Sequence, residues 1–137
     1  MLTGETLAAH LGAHGVTPTA QRLKIAEMLF RKPQHLSAEQ ILAAVNRQPP
    51  RVSKATVYNT LRLFSDKGLL REVIVDPARV FYDPTTGSHH HFYNADTGEL
   101  ADIAPEQVSF ARLPKLPPGT QQDGIEVIVR VRSSSKS

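Results

Sequence analysis

A chain of 137 residues with 40% hydrophobic and 21% charged side chains holds one ordinary soluble domain or two small ones. It has no cysteine, which excludes disulfides, thiolate zinc sites, cysteine nucleophiles and thiol redox switches, so a bound metal must rely on His, Asp, Glu or backbone donors. No apolar run approaches the roughly 18 residues of a membrane span, and Met1-Leu-Thr-Gly-Glu5 lacks the basic start and apolar core of a secretory signal, so a cytoplasmic location is expected.

Residues 3 to 14 read as a short opening helix on the surface, with Leu7 and Leu11 apolar and Gly15 at the C-cap. Thr17-Pro18 starts a second helix, the threonine as N-cap and the proline at the first helical position; Leu23, Ile25, Ala26, Leu29 and Phe30 give it a wide apolar face up to Lys32-Pro33. Ser37-Ala-Glu-Gln40 fits a capping box opening a third helix, with Ala38, Ile41, Leu42 and Val45 as its stripe before Pro49-Pro50. Ser53 caps a fourth, whose Val57, Leu61 and Phe64 face inward and which Gly68 ends.

The opposite face of that fourth helix presents Lys54, Thr56, Tyr58, Asn59 and Arg62, a mixture of cations, hydrogen-bonding groups and one aromatic. Residues 70–75 and 80–83 are β-prone runs joined by Asp76-Pro-Ala-Arg79, a hairpin signal. Three helices and a hairpin are the order of a winged helix, whose last helix enters the major groove, where Arg pairs with guanine, Asn with adenine, and lysines meet phosphates. The same topology also serves protein contacts. Charge favours DNA: residues 1 to 83 carry 11 Lys+Arg against 7 Asp+Glu, net +4, whereas residues 84 to 137 carry net −1.

Downstream, residues 91 to 103 read as a hairpin through Thr97-Gly98, Pro105 to Leu113 as a short helix, and 114–119 as an irregular connection. Residues 125–132 alternate, with Ile125, Val127, Val129 and Val131 on one face. A sheet of about three strands buries little by itself, so pairing with a second copy is expected, and the tail 133–137 is expected to be disordered.

Residues 83 to 102 hold three of the six histidines. In an extended strand His89 and His91 share a face and His90 points the other way. Asp83, folded back across 84–88, and Asp102, on a returning strand after Asp96-Thr97-Gly98, bring two carboxylates toward the two imidazoles. Such donors suit Fe(II), Mn(II) or Zn(II). A histidine-rich surface turn is the alternative reading of the same residues.

Gly15-Val-Thr-Pro-Thr-Ala-Gln-Arg22, His35-Leu-Ser-Ala-Glu39, Ala55-Thr-Val-Tyr-Asn-Thr-Leu61 with Gly68-Leu69, and His89-His-His91 together resemble the ferric uptake regulator (Fur) family of bacterial metal-dependent repressors, in the family's order. Within it, the cysteine-free chain, Asp83 and the ending Gly124-Ile-Glu-Val-Ile-Val-Arg-Val-Arg132 look most like the iron response regulators, and the ligand spacing is also that of the peroxide-sensing branch. The resemblance implies an α+β fold: a winged-helix DNA-binding domain over 1–83, then a small α/β dimerisation and metal-binding domain over 84–132.

It also implies a regulatory metal site on His35, Asp83, His89, His91 and Asp102, which makes a ligand of His35, by itself an ordinary loop histidine. One ion would thereby tie the reading domain to the dimerisation side and set the angle between them. A homodimer on palindromic AT-rich DNA operators, acting in iron homeostasis or the peroxide response, follows. The two Cys-x-x-Cys pairs that hold a structural zinc in many members are absent, as is a haem-binding Cys-Pro motif. If haem acts, His89, His90 and His91 are its place. A metal-dependent hydrolase would need a general base or oxyanion group that the sequence does not offer and would leave the helix-hairpin half unexplained. A metal-storing or protein-docking module stays open as the alternative.

Overall fold

Serine and threonine caps decide where three of the four α-helices begin. The computed structural model describes residues 4–76, 78–85 and 90–134, and the chain divides into two compact units, Met1–Thr86 and Gly87–Ser137. The first unit opens with helix α1 (Gly4–Ala13), closed by Gly15 at φ +77°, a left-handed conformation that costs glycine nothing. It is not a surface helix: Leu7 and Leu11 are buried in the main core, because their spacing of four places both on one stripe.

Helix α2 (Ala20–Leu29) begins later than the Thr17-Pro18 pair suggests. Thr19 is the N-cap, its Oγ1 accepting from the Arg22 N–H at 3.3 Å, and Thr17 and Pro18 precede the helix. The helix also ends sooner, at the Phe30 cap, where Gln34 donates to the carbonyls of Met28 and Leu29. Helix α3 (Ala38–Val45) carries both halves of the capping box, the Gln40 N–H on Ser37 Oγ and the Ser37 N–H on Gln40 Oε1. Helix α4 (Lys54–Asp66) starts at Ser53, which accepts from the Thr56 N–H, and buries Val57, Leu61 and Phe64 against α1–α3.

A strand that the sequence pattern hides, β1 (Leu36–Ser37), runs straight into α3. It pairs antiparallel with β3 (Arg79–Asp83), which also pairs with β2 (Arg71–Asp76), so the hairpin becomes a three-stranded sheet of order β1-β3-β2. Three helices and this wing make a winged helix, preceded by α1.

The second unit is a three-stranded sheet of order β5-β4-β6, from β4 (His90–Asn94), β5 (Leu100–Ile103) and β6 (Ile128–Val131). Strands β4 and β5 form a hairpin whose turn is held by Asn94, its Oδ1 accepting from the N–H groups of Asp96 and Thr97. The expected strand over 125–132 is shorter: the Val127 carbonyl still accepts the His91 N–H at 3.1 Å, but its own N–H donates to the His90 ring at 2.9 Å. The expected helix over 105–113 is a single 3-10 turn, Pro105–Gln107, with no side-chain cap and with Pro114 holding Leu113 away from helical geometry. The tail is not wholly loose, since the Ser133 N–H donates to Asp96 Oδ2 at 2.9 Å; residues 135–137 lie outside the described ones. Among the described residues no helix is long and apolar enough to cross a membrane.

Candidate metal centre and nucleic-acid face

Strand register builds two histidine–aspartate pairs, one in each unit. In the first, Leu36 stands opposite Tyr82, so the residue before β1 meets the residue after Tyr82. His35 Nδ1 lies 3.1 Å from Asp83 Oδ2, with the His35 side chain 12% exposed and that of Asp83 only 1%. The other carboxylate oxygen, Oδ1, accepts the Thr85 N–H at 2.8 Å, which fixes the carboxylate plane. In the second unit His91 and Asp102 are direct cross-strand partners of β4 and β5, and His91 Nε2 lies 3.3 Å from Asp102 Oδ1. His91 is fully buried while Asp102 stays half exposed.

Facing partners on a strand pair put their β-carbons about 5 Å apart, close enough for two donor atoms to share a cation. A carboxylate as buried as Asp83 is costly unless a cation or hydrogen bonds compensate it. One imidazole nitrogen and one carboxylate oxygen per pair form the mixed donor set that Fe(II), Mn(II) and Zn(II) accept, so the residues fit a divalent ion. A plain ion pair with a protonated histidine would use the same contacts. His89, the remaining expected ligand, lies outside the described residues.

His90 leaves the opposite face of β4 from His91, yet it is buried rather than open. Its Nδ1 accepts the Val127 N–H, so a neutral ring carries its proton on Nε2 and has no lone pair left for a metal.

On α4, Lys54, Asn59 and Arg62 are exposed, and Thr56 and Tyr58 are half-buried. Tyr58 is more engaged than the sequence pattern suggests. Its hydroxyl donates to Glu39 Oε1 at 3.2 Å, Lys54 Nζ sits 5.6 Å from its ring centroid, and its ring packs on the core. The Glu39 carboxyl is held below its ordinary range, chiefly by its own backbone N–H, against a smaller opposing effect of burial, with the hydroxyls of Tyr58 and Ser37 assisting. Thr56 Oγ1 accepts from Ser53 Oγ at 2.9 Å, so it supports the helix start.

Beside this face lies a cleft of about 520 Å³, in which Thr56 and Asn59 are joined by Thr19, Gln21 and Arg22 from the start of α2. The apolar periodicity of α2 does not reveal these three, and the signal that would have found them is the Thr19 cap. Arg22 Nη1 donates to the Thr17 carbonyl at 3.0 Å, which holds that arginine at the helix entrance.

Comparison with known proteins identifies the family. The pattern of the ferric uptake regulator family matches residues 13–113. The peroxide operon regulator of Bacillus subtilis is 36% identical over 89 residues, 65% of this chain and 61% of that protein, so the chain spans less than two thirds of that relative. The peroxide-responsive repressor PerR of Staphylococcus aureus is 31% identical over 105 residues, 77% of this chain and 71% of that one. The fold is that of the ferric uptake regulator from Pseudomonas aeruginosa solved with manganese, at a TM-score of 0.69 and 24% identity over 91% of this chain and 96% of that chain. By a pattern that spans most of its length, by identity to two peroxide regulators and by a shared fold, this chain belongs to the ferric uptake regulator family.

Proposed function

We propose that the chain is a metal-responsive, DNA-binding transcription regulator, not an enzyme, that works in the cytoplasm as a homodimer on palindromic AT-rich operators in iron homeostasis or the peroxide response. The observation that carries the reading is the pair of histidine–aspartate contacts built by strand register, His35 with Asp83 and His91 with Asp102. His35, Asp83, His89, His91 and Asp102 would hold one divalent ion, Fe, Mn or Zn, which supplies a positive charge shared by the reading unit and the dimerisation unit. Ligands drawn from both units make occupancy sensitive to how the units are arranged, and an ion shifts DNA affinity only by favouring the DNA-competent arrangement. The Mn-bound relative and the peroxide regulators of this family support that role. The His90 tautomer favours His91 over His90 as ligand and weighs against haem on His89, His90 and His91.

Lys54, Thr56, Tyr58, Asn59 and Arg62 are the proposed DNA-contacting residues, Lys54 at phosphates, Asn59 and Arg62 at base edges. The test is operator binding by fluorescence anisotropy, anaerobically, with Fe(II), Mn(II), Zn(II) or chelator. Metal should tighten specific binding at least tenfold. Specific binding indifferent to chelator would remove the switch, and metal uptake with no specific DNA binding would make the chain a storage or docking module instead.

A further inference from the structure

Tyr58 is tied to a helix other than its own. Lys54, Tyr58 and Arg62 follow at intervals of four on α4, so they share one stripe. Beside Tyr58 stands Glu39, an exposed residue in the first turn of α3, whose Oε1 accepts from the tyrosine hydroxyl at 3.2 Å. A carboxylate in a first helical turn meets the positive end of the helix dipole, which accounts for an acid at this position. It does not account for the reach across to α4. The carboxylate also stands where a DNA-binding face would keep negative charge away, and the Lys54 charge acts on it there.

The proton of this contact has a settled place. With its carboxyl held below the ordinary range, Glu39 is ionised near neutral pH and can only accept. Desolvation first, and then the bond to Glu39 and its charge, hold the Tyr58 hydroxyl above its ordinary value of 10.0, so the phenol keeps its proton. A phenol has a single O–H to donate, and Glu39 takes it; what the oxygen still offers is acceptor capacity. The contact is longer than a tight hydroxyl bond of about 2.7–2.8 Å, which leaves the ring room to settle against a base.

That commitment has a consequence in the major groove. Every base pair shows an amino group on one strand, at adenine N6 or cytosine N4, and a carbonyl oxygen on the other, at thymine O4 or guanine O6. A hydroxyl free to rotate serves both and tells neither apart. A hydroxyl whose proton is held by a carboxylate accepts from the amino group and is repelled by the carbonyl oxygen, and the charge of Glu39 adds to that repulsion.

We infer that Glu39 is a specificity-determining residue that acts through Tyr58: by holding the phenol's proton it leaves the hydroxyl an acceptor, which selects adenine or cytosine over guanine or thymine at one position of the contacted strand. This rests on the DNA-binding reading above and gives Tyr58 its role within it. The full chain with Mn(II), and its Glu39→Ala and Tyr58→Phe variants, select sites from a randomised duplex pool, and the bound DNA is sequenced. The parent should prefer A or C over G or T roughly fivefold or more at one position per half-site. Both variants should bring that preference below about twofold and leave the other positions unchanged, because alanine frees the hydroxyl to donate and phenylalanine removes it. Replacing the selected adenine by purine, or the selected cytosine by 2-pyrimidinone, deletes the amino group alone; it should weaken the parent roughly fivefold and the variants little. A tie that only steadies α4 would weaken all sequences alike, so a Glu39→Ala chain with the parent's preference at every position overturns the role of Glu39. A parent site with no such position overturns it too. A parent that selects no site at all overturns the DNA-binding reading, and the role of Glu39 with it.

Discussion

Apart from Ile74, which is exposed in the first unit, and Tyr93 and Ile103, which are buried in the second, the two units treat their large apolar side chains differently. In the first, Leu11, Ile25, Leu29, Ile41, Leu61 and Phe64 are each fully buried by residues of the same unit. In the second, Phe92, Phe110, Leu113, Leu116, Val129 and Val131 are each at least 37% exposed. On the proposed function, a reading head that docks on DNA needs a closed core. A unit proposed to join two copies needs apolar surface to spare, and a monomer seldom keeps that much open without a partner.

The comparison breaks most visibly at the core. Phe64→Ala should destabilise the first unit by about 3–5 kcal/mol, the usual cost of removing a buried phenyl group and leaving its cavity, seen as a lower denaturation midpoint with loss of operator binding. Val129→Asp should leave that midpoint nearly unchanged but raise the dimer dissociation constant roughly 100-fold, about 2.7 kcal/mol. A Val129→Asp chain that still sediments as a tight dimer would place the interface away from the sheet.

The next effect is on the proposed metal site, to which both units would contribute ligands. His35→Ala should weaken metal affinity about 10- to 100-fold, the scale of losing even an outer partner of a metal site. More tellingly, it should uncouple operator binding from metal while the dimer persists, because His35 belongs to the first unit and not to the sheet of the second. His90→Ala should change metal affinity far less. If His35→Ala responds to Fe(II) and Mn(II) like the parent, one ion does not serve both units.

Readout in the first unit sharpens the contrast further. Arg62→Ala and Asn59→Ala should each cost about 1–3 kcal/mol of specific operator binding, and Lys54→Ala should weaken specific and non-specific binding alike and flatten the salt dependence. Tyr58 calls for the gentler change to phenylalanine, because the alanine variant would also remove packing and the tie to Glu39. If Arg62→Ala and Asn59→Ala leave specificity untouched, α4 does not read bases.

Where chemistry is local, the sequence was enough. The Ser37-to-Gln40 capping box, the Ser53 cap, the α4 stripe and the β2–β3 hairpin depend on neighbours within a few residues, and each stands where the pattern puts it. Two threonines on either side of Pro18 compete to cap α2, and the choice of Thr19 over Thr17 needed the backbone. The alternation of 125–132 could not reveal that the Val127 N–H would bond to the His90 ring or that β6 would be shorter. At the candidate site, His91 facing Asp102 follows from hairpin geometry. His35 facing Asp83 does not, because β1 is two residues long and pairs with a strand more than 40 positions away; family resemblance, not periodicity, pointed to it.

The smallest expected effect concerns how α1 is held on the first unit's core. His10 rests edge-on against Phe30, with ring centroids 5.4 Å apart, and against His14 at 4.8 Å, and the His14 ring donates from Nδ1 to the His10 carbonyl at 3.0 Å. Burial first, and then the neighbouring His14, hold the His10 imidazole below its ordinary value of 6.5. The folded state therefore resists protonation that the unfolded chain accepts, so stability rises with pH across that window. The contribution of the neutral ring is complete above pH 6.5 and is lost as the pH falls from there through the lower folded value. Thermal midpoints taken between pH 7.5 and 5.5 should drop more for the parent than for His10→Phe, which keeps an aromatic ring at the position and removes its titration. Equal slopes in the two chains would show that His10 stays uncharged for reasons that do not touch folding, and that α1 is held by Leu7 and Leu11 alone.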